Sequence, residues 1–288
     1  MWWIWLILTC AVWAQPAVRP GADFIDIEGA GEVWRSTSPE GGPTSHWRVA
    51  GSHYRDRELA HGIDYWYEIE SAGRRFRWGP VRIPWRALPP SVHPRLYIDK
   101  SRYLLSVLEG QKVLKRYAVA MGRRPMTRKL QFDQASTPEG RYRIVNLQPK
   151  ATYHKALDID YPNETDLARH QLLAPQSEIG GELQVHGMGI ERNWTWGCVA
   201  MRSQDIDEIF RHSEIGVGTP IWIYGGEVSL AELQADARAG WVDRLALGRR
   251  QQRLGLPVSC LSATPAYVDK RSGSSRPAAR KPPPPRPR

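Results

Sequence analysis

The sequence contains little cysteine, and this scarcity excludes several classes of protein. Three cysteines, Cys10, Cys198 and Cys260, occur among 288 residues, too few for the disulfide framework of a small secreted domain. The sequence has no CxxC pair and no histidine cluster, so we predict neither a metal site nor a cofactor. Cys198 and Cys260 could pair in an oxidising compartment, whereas a reactive thiol at Cys198 requires that they do not.

The chain also lacks a long apolar run. The apolar stretch MWWIWLILTCAVWA (residues 1–14) has the length of a signal-peptide core and is too short to cross a membrane as a mature helix. We predict a signal peptide over residues 1–14, although no Lys or Arg precedes its core. Lipidation of Cys10 is the alternative, and Thr9 is a poor residue before it. The sequence therefore predicts a secreted protein of the periplasm or cell envelope, with no stable transmembrane segment after signal cleavage.

Acidic residues are absent from the segment KRSGSSRPAARKPPPPRPR (270–288), which has seven Lys and Arg in a chain of net charge +10. Without apolar residues to pack, this composition is typical of disorder, and we predict a disordered basic proline-rich tail over residues 265–288. The tail is either a solubilising extension or a segment attracted to anionic envelope polymers. Because the chain is predicted to be secreted, we expect no nucleic-acid partner.

Residues 20–86 have the pattern of short β-strands. In GIDYWYEIE (62–70), every second residue from Ile63 to Ile69 is apolar, which is the period of a half-buried strand. The segments VWRSTSPEGG (33–42), YRDRELAHG (54–62) and DYWYEIE (64–70) resemble, in this order, part of a fibronectin type III module with shortened first strands. The resemblance implies a small β-sandwich that acts as a spacer or binding module; an unrelated small β-domain is the alternative.

A proline-rich linker, WRALPPSVHP (85–94), precedes a second β-rich region over residues 93–226. Alternating apolar residues predict strands at its start, with a hairpin turn at EGQ (109–111), and again at ELQVHG (182–187) and TPIWIYG (219–225). Ser203 is placed to cap a helix that contains Ile206, Ile209 and Phe210. A capping box at 229–232 predicts a helical appendage over residues 227–256.

The segment HGMGIERNWTWGCVAMR (186–202) holds the residues best suited to chemistry. A thiol attacks as thiolate, so Cys198 needs a base, and His186 is the residue type that serves near neutral pH. Gly187 permits a sharp departure from the strand that ends at His186. Gly197 lets the chain turn so that the N–H groups of residues 197 and 198 can point at an oxyanion. On the His–Cys spacing alone, a buried cysteine is the commoner interpretation.

Further motifs carry a resemblance to a known family. The pair His186-Gly187 is followed by Thr195-Trp196-Gly197-Cys198, which fits the pattern His-Gly and [ST]-x-G-C. TPEGRYRI (137–144), ALDIDYPNETD (156–166) and ELQVHG (182–187) stand in the family order. With these motifs, residues 93–225 resemble the YkuD-type L,D-transpeptidase catalytic domain, in particular its YafK-like branch. The resemblance implies a mostly β (α+β) fold with mixed sheets and short helices.

The resemblance also implies what the site residues do. Cys198 is the expected nucleophile, His186 the expected general base and acid, and the carbonyl group of Gly187 is expected to orient His186. The implied substrate is a peptidoglycan stem peptide, attacked at the carbonyl of an L-centre whose neighbour is a D-centre or a meso-diamino acid.

Two positions depart from the commoner family pattern and bear on substrate recognition. Trp196 stands where many members have a second histidine, and Ala200 stands where many have Arg or Asn. The candidate substrate-binding residues are Tyr153, Arg192, Trp194, Thr195, Trp196 and Arg202. Arginine suits a carboxylate ligand, but solvation is the commoner role of a lone polar residue, and packing is the commoner role of Trp.

Three functions follow from these observations. The first is a cysteine acyltransferase that links peptidoglycan stem peptides, or attaches proteins to them, through a thioester on Cys198. The second keeps the same site but lets water resolve the thioester, which makes the protein a hydrolase of stem-peptide or protein–wall bonds. The third is a non-catalytic wall-binding protein that relies on the β-module and the basic tail.

Overall fold

The computed structural model describes residues 16–29, 31–40 and 43–226. The predicted signal peptide, helical appendage and basic tail lie outside these described residues, and so do Cys10 and Cys260. The described residues are mostly β, as predicted, with fifteen strands and two α-helices.

Residues 17–82 form a small β-sandwich. Its strands are β1 (Ala17–Pro20), β2 (Ile25–Glu28), β3 (Gly31–Ser36), β4 (Thr44–Val49), β5 (His53–Asp56), β6 (Asp64–Ser71) and β7 (Arg74–Arg82). One antiparallel sheet has the order β1-β2-β5 and the other β4-β3-β6-β7. Alternate residues of both sheets share one buried apolar cluster, which is the packing of a sandwich. The first two strands have four residues each; membership of the fibronectin type III family stays a prediction.

Residues 94–224 form a closed barrel. Its strands are β8 (Pro94–Asp99), β9 (Leu104–Glu109), β10 (Lys112–Ala120), β11 (Gly140–Ala151), β12 (His154–Ile159), β13 (Gln184–His186), β14 (Val199–Met201) and β15 (Pro220–Tyr224). The order around the barrel is β10-β14-β13-β12-β11-β15-β8-β9. The pairs β13–β14 and β15–β8 are parallel and the other neighbours are antiparallel. Every barrel strand contributes to one buried apolar cluster.

Two helices pack outside the strands. Helix α2 (Ser203–Arg211) lies directly after β14 and adds Ile206 and Ile209 to the barrel's apolar cluster. The sequence places the helix cap at Ser203, and this is wrong by one residue: Arg202 is the cap, and it makes no side-chain capping bond. The Ser203 hydroxyl instead accepts a hydrogen bond from the N–H of Met188 at 3.3 Å.

Helix α1 (Glu164–Leu173) is absent from the sequence-based predictions. The side chain of Asn163 accepts hydrogen bonds from the N–H groups of Thr165 and Asp166, and Asp166 bonds back to the N–H of Asn163. This reciprocal capping box was readable in the sequence.

The sandwich is docked on the barrel through a shared apolar surface. Leu104, Ala118 and Ile190 of the barrel region belong to the apolar cluster of the sandwich. Several hydrogen bonds cross the same boundary. Among them, Arg35 Nη2 donates to the carbonyl of Arg102 at 3.3 Å, and Thr37 Oγ1 donates to the carbonyl of Ile190 at 3.4 Å. The loop after His186 is therefore buttressed by the N-terminal module.

Neither helix in the described residues has the length and apolar character needed to span a membrane.

Candidate active site

Strand β13 places His186 at its end. The strand is paired antiparallel with β12, where His186 lies opposite Ala156, and parallel with β14, where it lies opposite Ala200. Gly187 leaves the strand through a crowded corner, since a Cβ at this position would come within 3.0 Å of the carbonyl oxygen of Tyr153. The pairing therefore fixes the His186 backbone on both sides, and the glycine allows the chain to turn away at once.

Cys198 precedes β14, at the end of a tight turn that requires glycine before it. Gly197 has φ +140°, and a Cβ there would lie 2.7 Å from the carbonyl oxygen of Ser136. The carbonyl of Gly197 also accepts a hydrogen bond from Thr137 Oγ1 at 2.9 Å. Because a side chain would meet backbone rather than a flexible group, only glycine fits this turn.

The register of the two parallel strands brings His186 and Cys198 to one face. His186 pairs with Ala200, and Cys198 stands two residues before Ala200. Paired residues of parallel strands project to the same side, and so do residues two apart. The thiol and the imidazole therefore share one face of neighbouring strands, offset along them by about 7 Å at the backbone. The alternate residues Val185 and Val199 face the buried core.

The hydrogen bonding of His186 defines its tautomer. His186 Nδ1 lies 2.7 Å from the carbonyl oxygen of Gly187, and a carbonyl can only accept, so Nδ1 is the nitrogen that holds the proton. In the neutral ring, Nε2 is then left with its lone pair. Burial lowers the pKa of His186, and the bond to Gly187 opposes this shift. His186 is thus held as a neutral base.

Two aromatic side chains pack around the His186 ring. The ring centroids of Tyr153 and Trp194 lie 4.8 and 5.6 Å from that of His186, and the two aromatics contact each other edge-on at 5.3 Å. Only 1% of His186 is exposed, whereas Tyr153 is 39% exposed. The sequence-predicted residues Tyr153 and Trp194 are therefore brought to the site, where they shield the imidazole from water.

Burial also shifts the pKa of the Cys198 thiol. The pKa of Cys198 is raised by desolvation, and the N–H of Gln184 and the ammonium of Lys129 act against this rise. Cys198 Sγ donates to the carbonyl oxygen of Glu182 at 3.8 Å, so the resting sulfur is a thiol. Among the described residues, Cys198 is a free cysteine.

Lys129 is a site residue that the sequence reasoning missed. It is buried, and its ammonium donates to the carbonyls of Gln131 and Phe132 at 3.1 and 3.0 Å. Burial lowers its pKa, while the charge of the Cys198 thiolate raises it. No local motif marks Lys129 in the sequence, because the loop over residues 121–139 is brought to the cysteine by the barrel.

An open cleft of about 730 Å³ lies beside these groups, lined by Arg123, Glu191, Arg192, Asn193 and Trp194. Trp196 is 64% exposed, and the guanidinium of Arg123 lies 5.0 Å from the centre of its ring. Arg123 was missed by the sequence reasoning, whereas Arg192 was among its candidates.

Residues 93–223 match the family model of the YkuD L,D-transpeptidase catalytic domain.

Individual proteins are similar to parts of this chain. The Escherichia coli (strain K12) protein named "Putative L,D-transpeptidase YafK" is 34% identical over 107 residues, which cover 36% of this chain and 37% of the relative; its counterpart in strain O157:H7 gives the same values. The chain thus matches little more than a third of these relatives. Among solved structures, an L,D-transpeptidase from Xylanimonas cellulosilytica is 15% identical, with a TM-score of 0.33 and coverage of 49% of this chain and 65% of that one.

A second solved structure, L,D-transpeptidase 1 from Mycobacterium tuberculosis, is 12% identical, with a TM-score of 0.31 and coverage of 67% of this chain and 86% of that one.

Within the matched region, Thr195 has a structural position. It is 3% exposed, accepts a hydrogen bond from the N–H of Gly197 at 3.2 Å, and donates to the carbonyl of Cys198 at 2.7 Å. The expectation that the N–H of Gly197 points at an oxyanion is therefore wrong in this structure, because Thr195 accepts that hydrogen. Thr195 shapes the turn before the cysteine instead of lining the cleft.

The side chain of Arg202 likewise forms its hydrogen bonds within the protein. Its guanidinium binds the carboxylate of Asp205 through two contacts of 2.8 Å and donates to the carbonyl of Gly62 in the sandwich at 3.2 Å. These bonds tie the start of helix α2 to the N-terminal module. We therefore leave Arg202 out of the substrate site proposed below.

The described residues contain no group of three or more His, Cys, Asp or Glu side chains arranged to hold a metal ion.

Proposed function

We propose that the protein is a cysteine-dependent acyltransferase that acts on peptidoglycan stem peptides. One observation carries the proposal: His186, whose Nε2 keeps its lone pair, is paired with Ala200 on the parallel strand that Cys198 directly precedes. The YkuD L,D-transpeptidase catalytic domain over residues 93–223 supports the assignment of the reaction class.

In the first step His186 acts as a base. Nε2 takes the proton of the Cys198 thiol, and the carbonyl of Gly187 holds the opposite side of the ring and stabilises the imidazolium that forms. The ammonium of Lys129 favours the thiolate. Proton transfer is needed because burial keeps the resting thiol protonated.

In the second step the thiolate attacks the donor carbonyl, and a tetrahedral intermediate forms. When the C–N bond breaks, the proton on Nε2 passes to the leaving amine, and a thioester remains on Cys198. The amine of an acceptor stem peptide then attacks the thioester. His186 removes the extra proton from this amine and returns it to the sulfur when the new amide is released.

Recognition of the donor is assigned to the cleft. Arg123 and Arg192 line it, and a guanidinium can bind a stem-peptide carboxylate through two parallel hydrogen bonds. The exposed indole of Trp196 offers a flat apolar wall beside Arg123. With Tyr153 and Trp194, these groups form the proposed substrate surface.

Hydrolysis by the same site is the second candidate. Cys198 is itself partly exposed to solvent, and Trp196 in the turn before it is 64% exposed. Water therefore has access to a thioester on Cys198, and the product of hydrolysis is a cut stem-peptide or protein–wall bond.

These activities imply a location in the periplasm or cell envelope, where peptidoglycan is present. We extend this to the predicted basic tail, which we propose contacts anionic envelope polymers.

The test is incubation of the purified protein with peptidoglycan sacculi, followed by mass spectrometry of the released muropeptides. The control protein is Cys198→Ala. New cross-links that depend on Cys198 support the transferase, and lost cross-links or released peptides that depend on it support the hydrolase. If neither changes, and iodoacetamide labels Cys198 no faster in the native protein than in His186→Ala, both enzymatic proposals are overturned in favour of a non-catalytic wall-binding protein.

A further inference from the structure

The outer face of the sandwich contains a groove that the proposed chemistry does not use. Its volume is about 520 Å³, within the range of roughly 300–1,000 Å³ for small-molecule pockets. It crosses β3, β6 and β7, and its lining includes Trp34, Trp66, Glu68, Arg75, Arg77 and Trp78. These residues are far from His186 in sequence, and nothing in the reaction described above calls for them.

Two indole rings define the apolar part of the groove. Trp34 is held in place by His46, which stacks on it at 4.7 Å and 11°, and by the guanidinium of Arg75 at 5.0 Å. Trp66 lies against Gly79, where an added Cβ would meet its ring at 2.8 Å. Within the described part of the chain, no aromatic ring and no cation is stacked on Trp66. Trp34 is therefore a rigid wall, and Trp66 offers an indole face to a ligand.

The polar part of the groove is balanced in charge and fixed in position. The carboxylate of Glu68 accepts hydrogen bonds from Arg75 and from Arg77, both at 2.7 Å. Glu40 and the hydroxyls of Ser36 and Thr44 complete the polar lining. Two acids and two arginines leave no net charge, so the groove favours a neutral ligand with many hydrogen-bonding groups.

A pyranose ring has this chemistry, because one of its faces presents C–H groups and its rim presents hydroxyls. The C–H face can lie on an indole, whose ring face is electron-rich, while the rim meets ion-paired carboxylate and guanidinium groups. The predicted basic tail of this chain is a poorer occupant, since a groove without net charge does not attract its Lys and Arg residues.

The groove is connected to the active-site cleft. Thr37 lies between the groove residues Ser36 and Ser38, and its hydroxyl donates to the carbonyl of Ile190. The next residue, Glu191, lines the cleft. The segment that borders the groove is therefore hydrogen-bonded to the loop that borders the cleft.

We propose that the groove over Trp34, Trp66 and Glu68 binds the neutral N-acetylated amino-sugar backbone of the wall polymer whose stem peptides enter the cleft. This inference rests on the proposed function for the identity of the polymer. The groove holds the glycan strand, and the cleft beside it receives a peptide attached to that strand.

The experiment measures binding of a β-1,4-linked N-acetylglucosamine tetramer to the full chain by isothermal titration calorimetry. This probe has no stem peptide, so the cleft has nothing to recognise. We expect saturable binding, a Kd raised about tenfold in Trp66→Ala and in Glu68→Gln, and an unchanged Kd in Trp85→Ala, which removes an indole that is 58% exposed outside the groove. Glu68→Gln keeps the side-chain size, so its effect is separable from misfolding.

Cys198→Ala should bind the tetramer with the same Kd as the native chain. A failed muropeptide assay and a failed glycan titration are therefore independent results. The inference is overturned if the tetramer does not bind saturably, or if Trp66→Ala and Trp85→Ala have the same Kd. It is also overturned if a peptide of residues 270–288 binds in the groove, as shown by loss of its binding in Trp66→Ala.

Discussion

Burial shifts the pKa values of His186 and Cys198 in opposite directions, and in both residues it favours the neutral form. It lowers the pKa of the imidazole and raises the pKa of the thiol, so both resting groups are neutral. An imidazolium–thiolate pair is disfavoured in the free protein, and the thiolate forms when the proton moves to Nε2 during attack. Lys129 is the side chain whose charge favours that thiolate.

Replacement of Lys129 by methionine, which has similar length and no charge, should raise the pKa of Cys198 further. We expect alkylation of Cys198 by iodoacetamide at pH 7.5 to slow by about three- to tenfold, because the thiolate loses a neighbouring cation. The measurement is the alkylation rate as a function of pH.

Lys129→Arg keeps the charge and should retain most of the native rate. Lys112→Met removes a lysine at the exposed start of β10 and should have no effect. If Lys129→Met has the same thiol pKa as Lys112→Met, the ammonium of Lys129 does not act on the sulfur.

Among the elements of the sandwich, a buried ion pair joins the two sheets. Arg35 of β3 binds Asp56 of β5 at 2.6 Å, and both side chains are almost fully excluded from water. Tyr67 of β6 donates to the same carboxylate at 2.9 Å, and its pKa is raised well above the ordinary value by burial and by Asp56. Removal of the carboxylate would leave a buried guanidinium without its counter-charge.

Asp56→Ala should lower the free energy of unfolding by about 3–5 kcal/mol, as measured by urea denaturation. Asp26→Ala is the matched control in the same sandwich, since Asp26 forms a two-point ion pair with Arg55 in which the Arg55 side chain is 40% exposed. Because water screens a solvated pair of this kind, Asp26→Ala should lose much less stability than Asp56→Ala. Equal losses in the two variants would show that the buried pair does not hold the sheets together.

The sequence predicted the elements that are encoded locally. The alternation in β8 to β10, and the glycines next to His186 and Cys198, are properties of neighbouring residues, and the structure has them where expected. Helix α1 was missed because its cap, Asn163, is embedded in a stretch without apolar periodicity. Lys129 and Arg123 were missed for another reason: their position beside the site depends on how a long loop folds back across the barrel, which no local pattern encodes. The intramolecular bonds of Arg202 likewise depend on the folded structure, because one of their acceptors is the carbonyl of Gly62 in the other module.

At the scale of the whole molecule, the sandwich and the barrel are packed together at the boundary described above. His61 lies there, 6% exposed, with its N–H bonded to the carbonyl of Arg116 at 3.4 Å. Burial is the main cause that lowers the pKa of His61 to about 4, and the charges of Arg86, Lys115 and Arg116 lower it further. Its Nδ1 has no hydrogen-bond partner among the described residues. A hydrogen bond to the backbone of Arg116 raises the pKa of His61, but this contribution is smaller than those of burial and of the neighbouring cations.

This arrangement predicts a loss of stability in acid. The pKa of His61 is about 4 in the folded chain and about 6.5 in the unfolded chain, so the unfolded state binds the proton first as the pH falls. Stability is therefore full above about pH 6.5 and decreases towards pH 4. We expect the free energy of unfolding at pH 4.5 to be about 1–2 kcal/mol lower than at pH 7 through this residue, after allowance for partial solvation of the ring.

The measurement is urea denaturation at pH 7 and pH 4.5 of the native chain, His61→Leu and His93→Leu. Other groups titrate in the same window; the pKa of Asp166, for example, is raised to about 6, chiefly by burial. For each protein we therefore take the change in the free energy of unfolding between pH 7 and pH 4.5. The informative quantity is how this change differs from one variant to another. His61→Leu should lose less stability in acid than the native chain, and His93→Leu, at an exposed position, should lose as much. If His61→Leu is as acid-sensitive as the native chain, His61 does not couple the docking of the two modules to pH.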